Sequence, residues 1–409
     1  MPRLVMKFGG TSVADLAKIE NAARKVAREV ERGYDVIVIV SAMAGKTNEL
    51  VGWVRETQTL YDAREYDAVV SSGENVTAGL MALRLQSLGV DARSWQGWQV
   101  PVRTTSAHGI ARIEEIPVVN IAAKFADGQR VAVIAGFQGL SAENRITTLG
   151  RGGSDTTAVA FAAAFAAERC DIYTDVDGIY TTDPRITTKA RKLSRIAYEE
   201  MLELASLGAK VLQTRSVELA MRNRVRLQVL SSFDDVPGTL VCDEDEIMER
   251  NIVSGVAFSR EEAKVTVLGV EDRPGVAAAL FGPLAEAGVN VDMIVQDVSE
   301  DGRTNMTFSC PIDEVDRAAA AIQRAKARDE IAYQTLEQDT EVAKVSIVGI
   351  GMRSHAGVAN RMFQALADER INIKVITTSE IKVSVLLDRR YMELAVQSLH
   401  DAFELHDPG

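Results

Sequence analysis

An arginine and an aspartate share the stretch Gly150-Arg151-Gly152-Gly153-Ser154-Asp155-Thr156-Thr157. The apolar run Val131–Ala135 precedes it as a buried strand, and an Ala-rich run from Thr157 to Glu168 follows with the composition of a packed helix. Glycines just before a helix N-terminus leave backbone N–H groups pointing at open space, where the helix dipole favours an anion. Arg151 adds a planar fork suited to a carboxylate or a phosphate. Asp155 adds a negative charge that anion binding alone does not require. The simpler reading is a connector with Ser154 as N-cap and Asp155 on the dipole. Three other residues invite chemistry. Lys7 sits on the apolar strand Leu4–Phe8 beside Gly9 and Gly10, where a cation is costly unless an anion compensates it; a lysine snorkelling from an edge strand is the alternative. Glu74 follows Ser71-Ser72-Gly73 near a helix start, as a first-turn Glu matched to the dipole also would. Lys210 follows Leu207-Gly208-Ala209 and could equally be a solvated lysine.

The elements that position these residues alternate. Strand Leu4–Phe8 runs into Gly9-Gly10-Thr11-Ser12, and Leu16, Ile19, Ala23, Val26 and Val30 then keep helical spacing up to Gly33. Val36–Val40 is a continuous apolar strand of the kind buried on both faces. A helix over Ser72–Leu88 closes at Gly89. Strands are expected near Val118–Ile121, Val131–Ala135, Asp171–Thr174 and Val225–Leu230. The pattern implies an α/β domain with a mainly parallel sheet between helix layers and ligands at the strand C-terminal ends.

After Phe233 the turn-rich Asp234-Asp235-Val236-Pro237-Gly238-Thr239 marks a boundary, and a duplication follows. Ala263–Gly269 matches Ala343–Gly349, Gly275-Val276-Ala277 matches Gly357-Val358-Ala359, and Asn290-Val291 matches Asn372-Ile373, at an offset of about 80 residues. That is too long for a solenoid repeat. Each copy reads strand, helix, strand, strand, helix, which is ferredoxin-like α+β. The first copy can finish with a strand at Ile331–Leu336; the second has only Phe403-Glu404-Leu405 for that role. The unpartnered strand Ile252–Phe258 is therefore expected to complete the second copy. The domains are then residues 1–245, an inserted first copy at 263–340, and a second copy built from 248–262 plus 341–409.

The chain has 409 residues and a formal charge of −12, which argues against a general nucleic-acid binder. Cys170, Cys242 and Cys310 are far apart, which points to a reducing compartment without disulfides. His108, His355, His400 and His406 form no metal motif, and no metal-ligand set is expected. No apolar run reaches a membrane span and no signal peptide is visible, so the expectation is cytoplasmic. Ala44-Gly45-Lys46-Thr47 resembles the end of a P-loop, but Val40 stands where that motif needs Gly. Asp175-Val176-Asp177-Gly178-Ile179-Tyr180 resembles a calcium loop, but its Gly is misplaced and the terminal Glu is missing.

Taken in order, Lys7–Ser12, Ser41–Asn48, Ser71–Glu74, Gly136-Phe137-Gln138-Gly139, Gly150–Asp155 and Tyr173–Arg185 resemble an aspartate kinase of the amino acid kinase superfamily with two C-terminal ACT domains. The resemblance covers nearly the whole chain. It implies ATP-dependent phosphorylation of the β-carboxylate of L-aspartate, the step that opens lysine, threonine and methionine biosynthesis. It implies that Lys7 stabilises the transferring phosphoryl group, that Lys210 holds the phosphates, and that Asp155 orients both lysines. By the same resemblance Phe8, Gly9, Gly10, Ser41, Ser154, Thr174, Asp175, Tyr180, Arg185 and Val211 border the nucleotide, with Mg²⁺ bridging its phosphates. Arg151, with Gly152, Gly153 and Ser154, would hold the α-carboxylate of aspartate; Glu74 would pair with its ammonium, and Thr47 would bind nearby.

The duplicated copies resemble ACT domains that sense lysine, threonine or both. Asp272, Pro274, Gly275, Asn290, Asp292 and Gln296 would contact the effector in the first copy, and Asn372, Ile373, Ser379 and Glu380 in the second. Ala356 stands where the family usually has Pro, which leaves that loop less pre-set. The resemblance further implies a homo-oligomer through the ACT domains, with Met248 placed where a shorter subunit could start. Two alternatives stay open: a kinase for another carboxylate, and a silent amino-acid sensor that kept the ACT pair.

Overall fold

The computed structural model describes residues 1–207, 211–247, 252–298 and 302–407. The chain forms two units, Met1–Ile179 with Lys192–Met248, and Tyr180–Arg191 with Glu249–Gly409. No helix among the described residues is long and apolar enough to cross a membrane.

The first unit is built on an eight-stranded sheet in the order Arg195–Ala197, Thr239–Cys242, Leu227–Ser231, Arg169–Thr174, Arg3–Phe8, Asp35–Val40, Val131–Ala135, Ala92–Trp95. All its pairings are parallel except Leu227–Ser231 with Thr239–Cys242. The central strands are mainly apolar because helices cover both faces. Side chains alternate along each strand. Leu4, Met6, Phe8, Val36, Val38 and Val40 therefore point to one face, where they pack with Ile19, Ala23 and Val26 of helix Leu16–Glu31 and Met81 and Leu85 of helix Ser72–Ser87. Val5, Lys7, Ile37 and Ile39 point to the opposite face, covered by helix Gly153–Ala164.

Two expectations change here. Residues Val119–Ala126 form a helix, not a strand near Val118–Ile121. Ile121 and Phe125 are its buried pair at i, i+4, and so short an apolar run does not distinguish the two periodicities. The Ala-rich helix begins at Gly153, capped by Gly152, so Ser154 lies inside it and is not its N-cap. Gly152 has φ 71°, and a Cβ there would sit 2.0 Å from Gln213 Cγ, so only glycine fits the turn.

The second unit is one six-stranded sheet in the order Ile294–Val298, Arg303–Pro311, Gly255–Glu271, Thr335–Val348, Lys382–Asp388, Ile373–Thr378, all antiparallel. Its two long central strands each serve both copies. Gly255–Ser259 pairs with Val348–Lys344, while Lys264–Leu268 pairs with Asp339–Thr335. Val253 and Val256 are buried with Val345, Ile347, Met362 and Leu399 of the second copy. A separate core gathers Val265, Val267, Leu280, Phe308 and Ile322 of the first. The strand expected at Ile331–Leu336 begins only at Thr335; Ile331 is a core residue of the turn before it. Tyr180–Arg191 folds with this unit. Thr181 O accepts from Val256 N at 2.7 Å, Thr181 Oγ1 lies 2.9 Å from His400 Nε2, Ile186 packs on the second core, and Lys189 pairs with Asp401 at 2.8 Å.

Candidate active site

Strand alternation puts a charged side chain, Lys7, among Val5, Ile37 and Ile39 on the face covered by helix Gly153–Ala164. A buried cation there must be paired. Asp155, in that helix's first turn, supplies the partner: Lys7 Nζ lies 2.5 Å from Asp155 Oδ1, with the two residues only 8% and 7% exposed. The pair sits where strands Arg3–Phe8 and Asp35–Val40 end together, in register at Phe8 and Val40.

Around this pair lies a cavity of about 300 Å³. Its walls come from three loops. Gly10 lies on the first; a Cβ there would come within 2.9 Å of Ala42 O. Ser41 to Gly45 form the second, ending in Gly45 at φ 81°, the N-cap of helix Lys46–Thr57, so Thr47 also lines the cavity. Gly150 to Gly152 form the third, with Arg151 exposed, and the first turn of helix Gly153–Ala164 continues it. Two glycine-capped helix N-termini thus open on one cavity, the arrangement that suits anions.

Glu74 supplies the opposite charge. It stands in the first turn of helix Ser72–Ser87, 3% exposed, and lines the same cavity. Ala42 N–H donates to its Oε1 at 3.1 Å, while Oε2 is buried without a partner among the described residues. Burial pushes its carboxyl up to about 7, against the opposing pull of the Ala42 and Glu74 backbone N–H groups. A carboxylate oxygen left unpaired in a cavity is a place for an ammonium.

Lys7, Gly10, Ser41, Thr47, Glu74, Arg151, Gly152, Gly153, Ser154 and Asp155 therefore come together. Phe8 and Gly9 lie just behind them: Phe8 stacks on Tyr173 at 4.8 Å, and a Cβ on Gly9 would be 3.4 Å from Lys7 Nζ. Thr174 and Asp175 lie at the C-terminal end of strand Arg169–Thr174, bonded to each other at 3.2 Å and outside the cavity lining. Tyr180 and Arg185 belong to the second unit, where Arg185 pairs with Asp183 at 2.7 Å. Val211 is half-buried and outside the lining. Lys210 and Met248 lie outside the described residues. Phe137, absent from the sequence-based site, lines the cavity at φ 67°. The left-handed backbone of this non-glycine residue is the strained kind found at functional sites. No local feature of Gly136-Phe137-Gln138-Gly139 signals it.

In the second unit, Gly275 (φ 92°, ψ −3°) and Gly357 (φ 91°, ψ −4°) cap their helices with the same geometry, although Ala356 replaces a proline. Asp272 and Pro274 are exposed beside the first cap. Asn290 N–H donates to Glu314, Asp292 pairs with Lys344 at 2.6 Å, and Gln296 is exposed on strand Ile294–Val298. Asn372, Ser379 and Glu380 are exposed around strand Ile373–Thr378, which Ile373 opens. One donor atom each from His400, Asp401 and His406 falls within 4.8 Å of the others, a grouping their spacing does not suggest. His400 is already bonded to Thr181, and Asp401 to Lys189.

Known proteins share this arrangement. The amino acid kinase family matches residues 2–231, and ACT domains match residues 264–328 and 345–403. The aspartokinase of Pseudomonas aeruginosa is 53% identical over all of this chain and 99% of its own. Escherichia coli aspartokinase III in complex with aspartate and ADP, an R-state crystal structure, is 28% identical with a TM-score of 0.78, over 98% of this chain and 99% of that one. The T-state crystal structure of the same protein, in complex with lysine and aspartate, has a TM-score of 0.77 at 28% identity over 98% and 99%. With a mainly parallel kinase sheet, a lysine–aspartate pair at its centre and two ACT copies later in the sequence, the chain belongs to the aspartokinases of the amino acid kinase family.

Proposed function

We propose that the chain transfers the γ-phosphoryl group of Mg·ATP to the β-carboxylate of L-aspartate, giving 4-phospho-L-aspartate and ADP. The observation that carries this reading is the juxtaposition of the Lys7–Asp155 pair with the unpartnered Glu74 oxygen and Arg151 around one cavity. Such a set accepts a small molecule with an ammonium and carboxylates and places a cation where phosphate charge gathers. A carboxylate is already a nucleophile, so no general base is needed; the difficulty is to bring two anions together. Catalysis is then positioning and charge neutralisation. Lys7 and the N–H groups after Gly9 neutralise the phosphoryl oxygens, and Asp155 holds Lys7 in place. Arg151 takes the α-carboxylate, Glu74 the ammonium, and Thr47 lies beside them. Lys210 would serve the nucleotide side, with Ser41, Thr174, Asp175 and Val211 around the nucleotide. Phosphates and water would hold the Mg²⁺ of the nucleotide, which would supply charge neutralisation; among the described residues no group of three acidic, His or Cys donors faces this cavity.

The ACT copies bind lysine, threonine or both and restrain the kinase, through the loops at Asp272–Gly275, Asn290–Gln296, Asn372-Ile373 and Ser379-Glu380. They also join copies of the chain, and a shorter subunit starts at Met248, which an expression blot showing full-length chain alone would reject. The protein works in the cytoplasm. The test is ADP release from Mg·ATP with L-aspartate, with L-glutamate and without acceptor, each with and without lysine plus threonine. Aspartate-dependent release suppressed by the effectors supports both halves. Release without suppression leaves the kinase and removes the feedback reading. No release from folded protein that still binds lysine or threonine would refute the kinase and leave a sensor.

A further inference from the structure

Asp67 takes no part in the cavity lining, yet it is wholly buried on helix Ala63–Val70 and satisfied by three groups from elsewhere in the chain. Thr148 Oγ1 donates to its Oδ1 at 2.5 Å, Gly109 N–H reaches both oxygens at 3.1 Å, and His108 Nδ1 lies 2.7 Å from Oδ2. A buried carboxylate holds its donors tightly, because each lost bond leaves charge unsolvated.

The two sides of this node lead to two residues of the cavity lining, Glu74 and Arg151. Helix Ala63–Val70 runs through Ser71 directly into helix Ser72–Ser87, whose first turn carries Glu74. Thr148 ends strand Ile146–Thr148, three residues before Arg151. The intervening backbone is braced too: Ala111 N–H donates to Thr148 O at 2.9 Å, and Arg215 donates to Leu149 O at 2.8 Å and Ala111 O at 2.9 Å. Gly150 lies against the same loop, where a Cβ would be 3.2 Å from Gly109 O.

We infer that Asp67 is a positioning residue that sets the span between Glu74 and Arg151 and so selects the length of the amino-acid acceptor. This rests on the proposed function, in which those two residues hold the ammonium and the α-carboxylate. An acceptor with one more methylene presents its reacting carboxylate displaced from the phosphoryl group. Loosening the node weakens aspartate binding and blunts the discrimination against glutamate. The Lys7–Asp155 ion pair makes no bond to this node, so the use of ATP is kept.

The experiment is steady-state kinetics of the full chain with aspartate, glutamate and ATP varied in turn, on the wild type, T148V, T148S and D67N, each checked by thermal melting. Thr148→Val keeps the side-chain shape and removes one bond to a charged group; it raises the KM for aspartate about tenfold. The KM for ATP stays within about twofold, and the aspartate-to-glutamate ratio of kcat/KM falls. Thr148→Ser restores wild-type values, and Asp67→Asn moves further in the same direction. An unchanged aspartate KM in T148V, a parallel rise in both substrates' KM, or no rescue by serine overturns the inference. If D67N does not fold, the T148V and T148S pair decides alone. A wild-type chain without aspartate-dependent release refutes the proposed function instead, which separates the two failures.

Discussion

Glu74→Gln is expected to make the protein more stable and a worse binder of aspartate, and both effects should grow with pH. The carboxyl rises from its ordinary value of 4.5 to about 7 because it is buried, 3% exposed, with one oxygen unpartnered. A raised carboxyl favours the native state only while protonated. Its contribution is fully present below pH 4.5 and is lost as pH rises through about 7. At about 1.4 kcal/mol per tenfold, holding the ionised group in the native state costs ~3 kcal/mol at pH 8 and under ~1 kcal/mol at pH 5. Glutamine keeps an oxygen for the Ala42 N–H bond and carries no charge. The variant should therefore melt several degrees above the wild type at pH 8, at roughly 2–4 °C per kcal/mol for a unit of this size. At pH 5 the two should nearly coincide.

Function should run the other way. An ammonium binds the ionised form of Glu74, and with the carboxyl near 7 only about a tenth of the free protein is ionised at pH 6. The apparent affinity falls by that fraction. The wild-type KM for aspartate should drop about tenfold from pH 6 to pH 8, while E74Q stays high and flat. The assays are melting curves and aspartate titrations of ADP release at matched ionic strength across that range. A wild-type KM that does not change, or an E74Q profile with the wild-type slope, would refute the assignment of Glu74 to the ammonium. An E74Q variant no more stable than wild type at pH 8 would refute its buried, unpaired state.

Lys7→Ala and Asp155→Asn should each lower kcat by about 10²–10³-fold with smaller changes in either KM, as loss of a preorganised charge does; wild-type turnover in K7A would remove Lys7 from the mechanism. Arg151→Ala should raise the KM for aspartate about tenfold or more with ATP use little changed, since it removes a charged hydrogen-bonding fork, and equal effects on both substrates would contradict its placement. Gly152→Ala should cost more than ~1 kcal/mol in melting experiments and lose turnover, because φ is 71° and the added Cβ meets Gln213 Cγ at 2.0 Å; a stable, active G152A would show that the turn can relax.

The cavity was legible because its residues break local rules. A lysine within an apolar strand and a Gly-rich turn holding an acidic residue both conflict with burial unless they meet, and they do, at 2.5 Å. What stayed hidden obeys local rules. Asp67 on Ala63–Val70 looks like any polar residue of an amphipathic helix, and its donors His108, Gly109 and Thr148 come from distant parts of the chain. Phe137 looks like a strand-end aromatic, and its φ of 67° goes with close packing against the next helix. Gly153 shows that packing: a Cβ there would meet the Phe137 ring at 2.7 Å. The strand expected near Val118–Ile121 is instead the start of helix Val119–Ala126, because a short apolar run fits either period until Ile121 and Phe125 are seen to share one buried face. Ala356 predicts a less pre-set loop in the second copy, and Gly357 takes the same cap dihedrals as Gly275. His355 Nδ1 lies 2.7 Å from Gly351 O and gives that loop a constraint of its own. Residues that carry chemistry announced themselves by their cost in isolation. Residues that only hold others in place cost nothing locally, and the folded chain is what brings their partners to them.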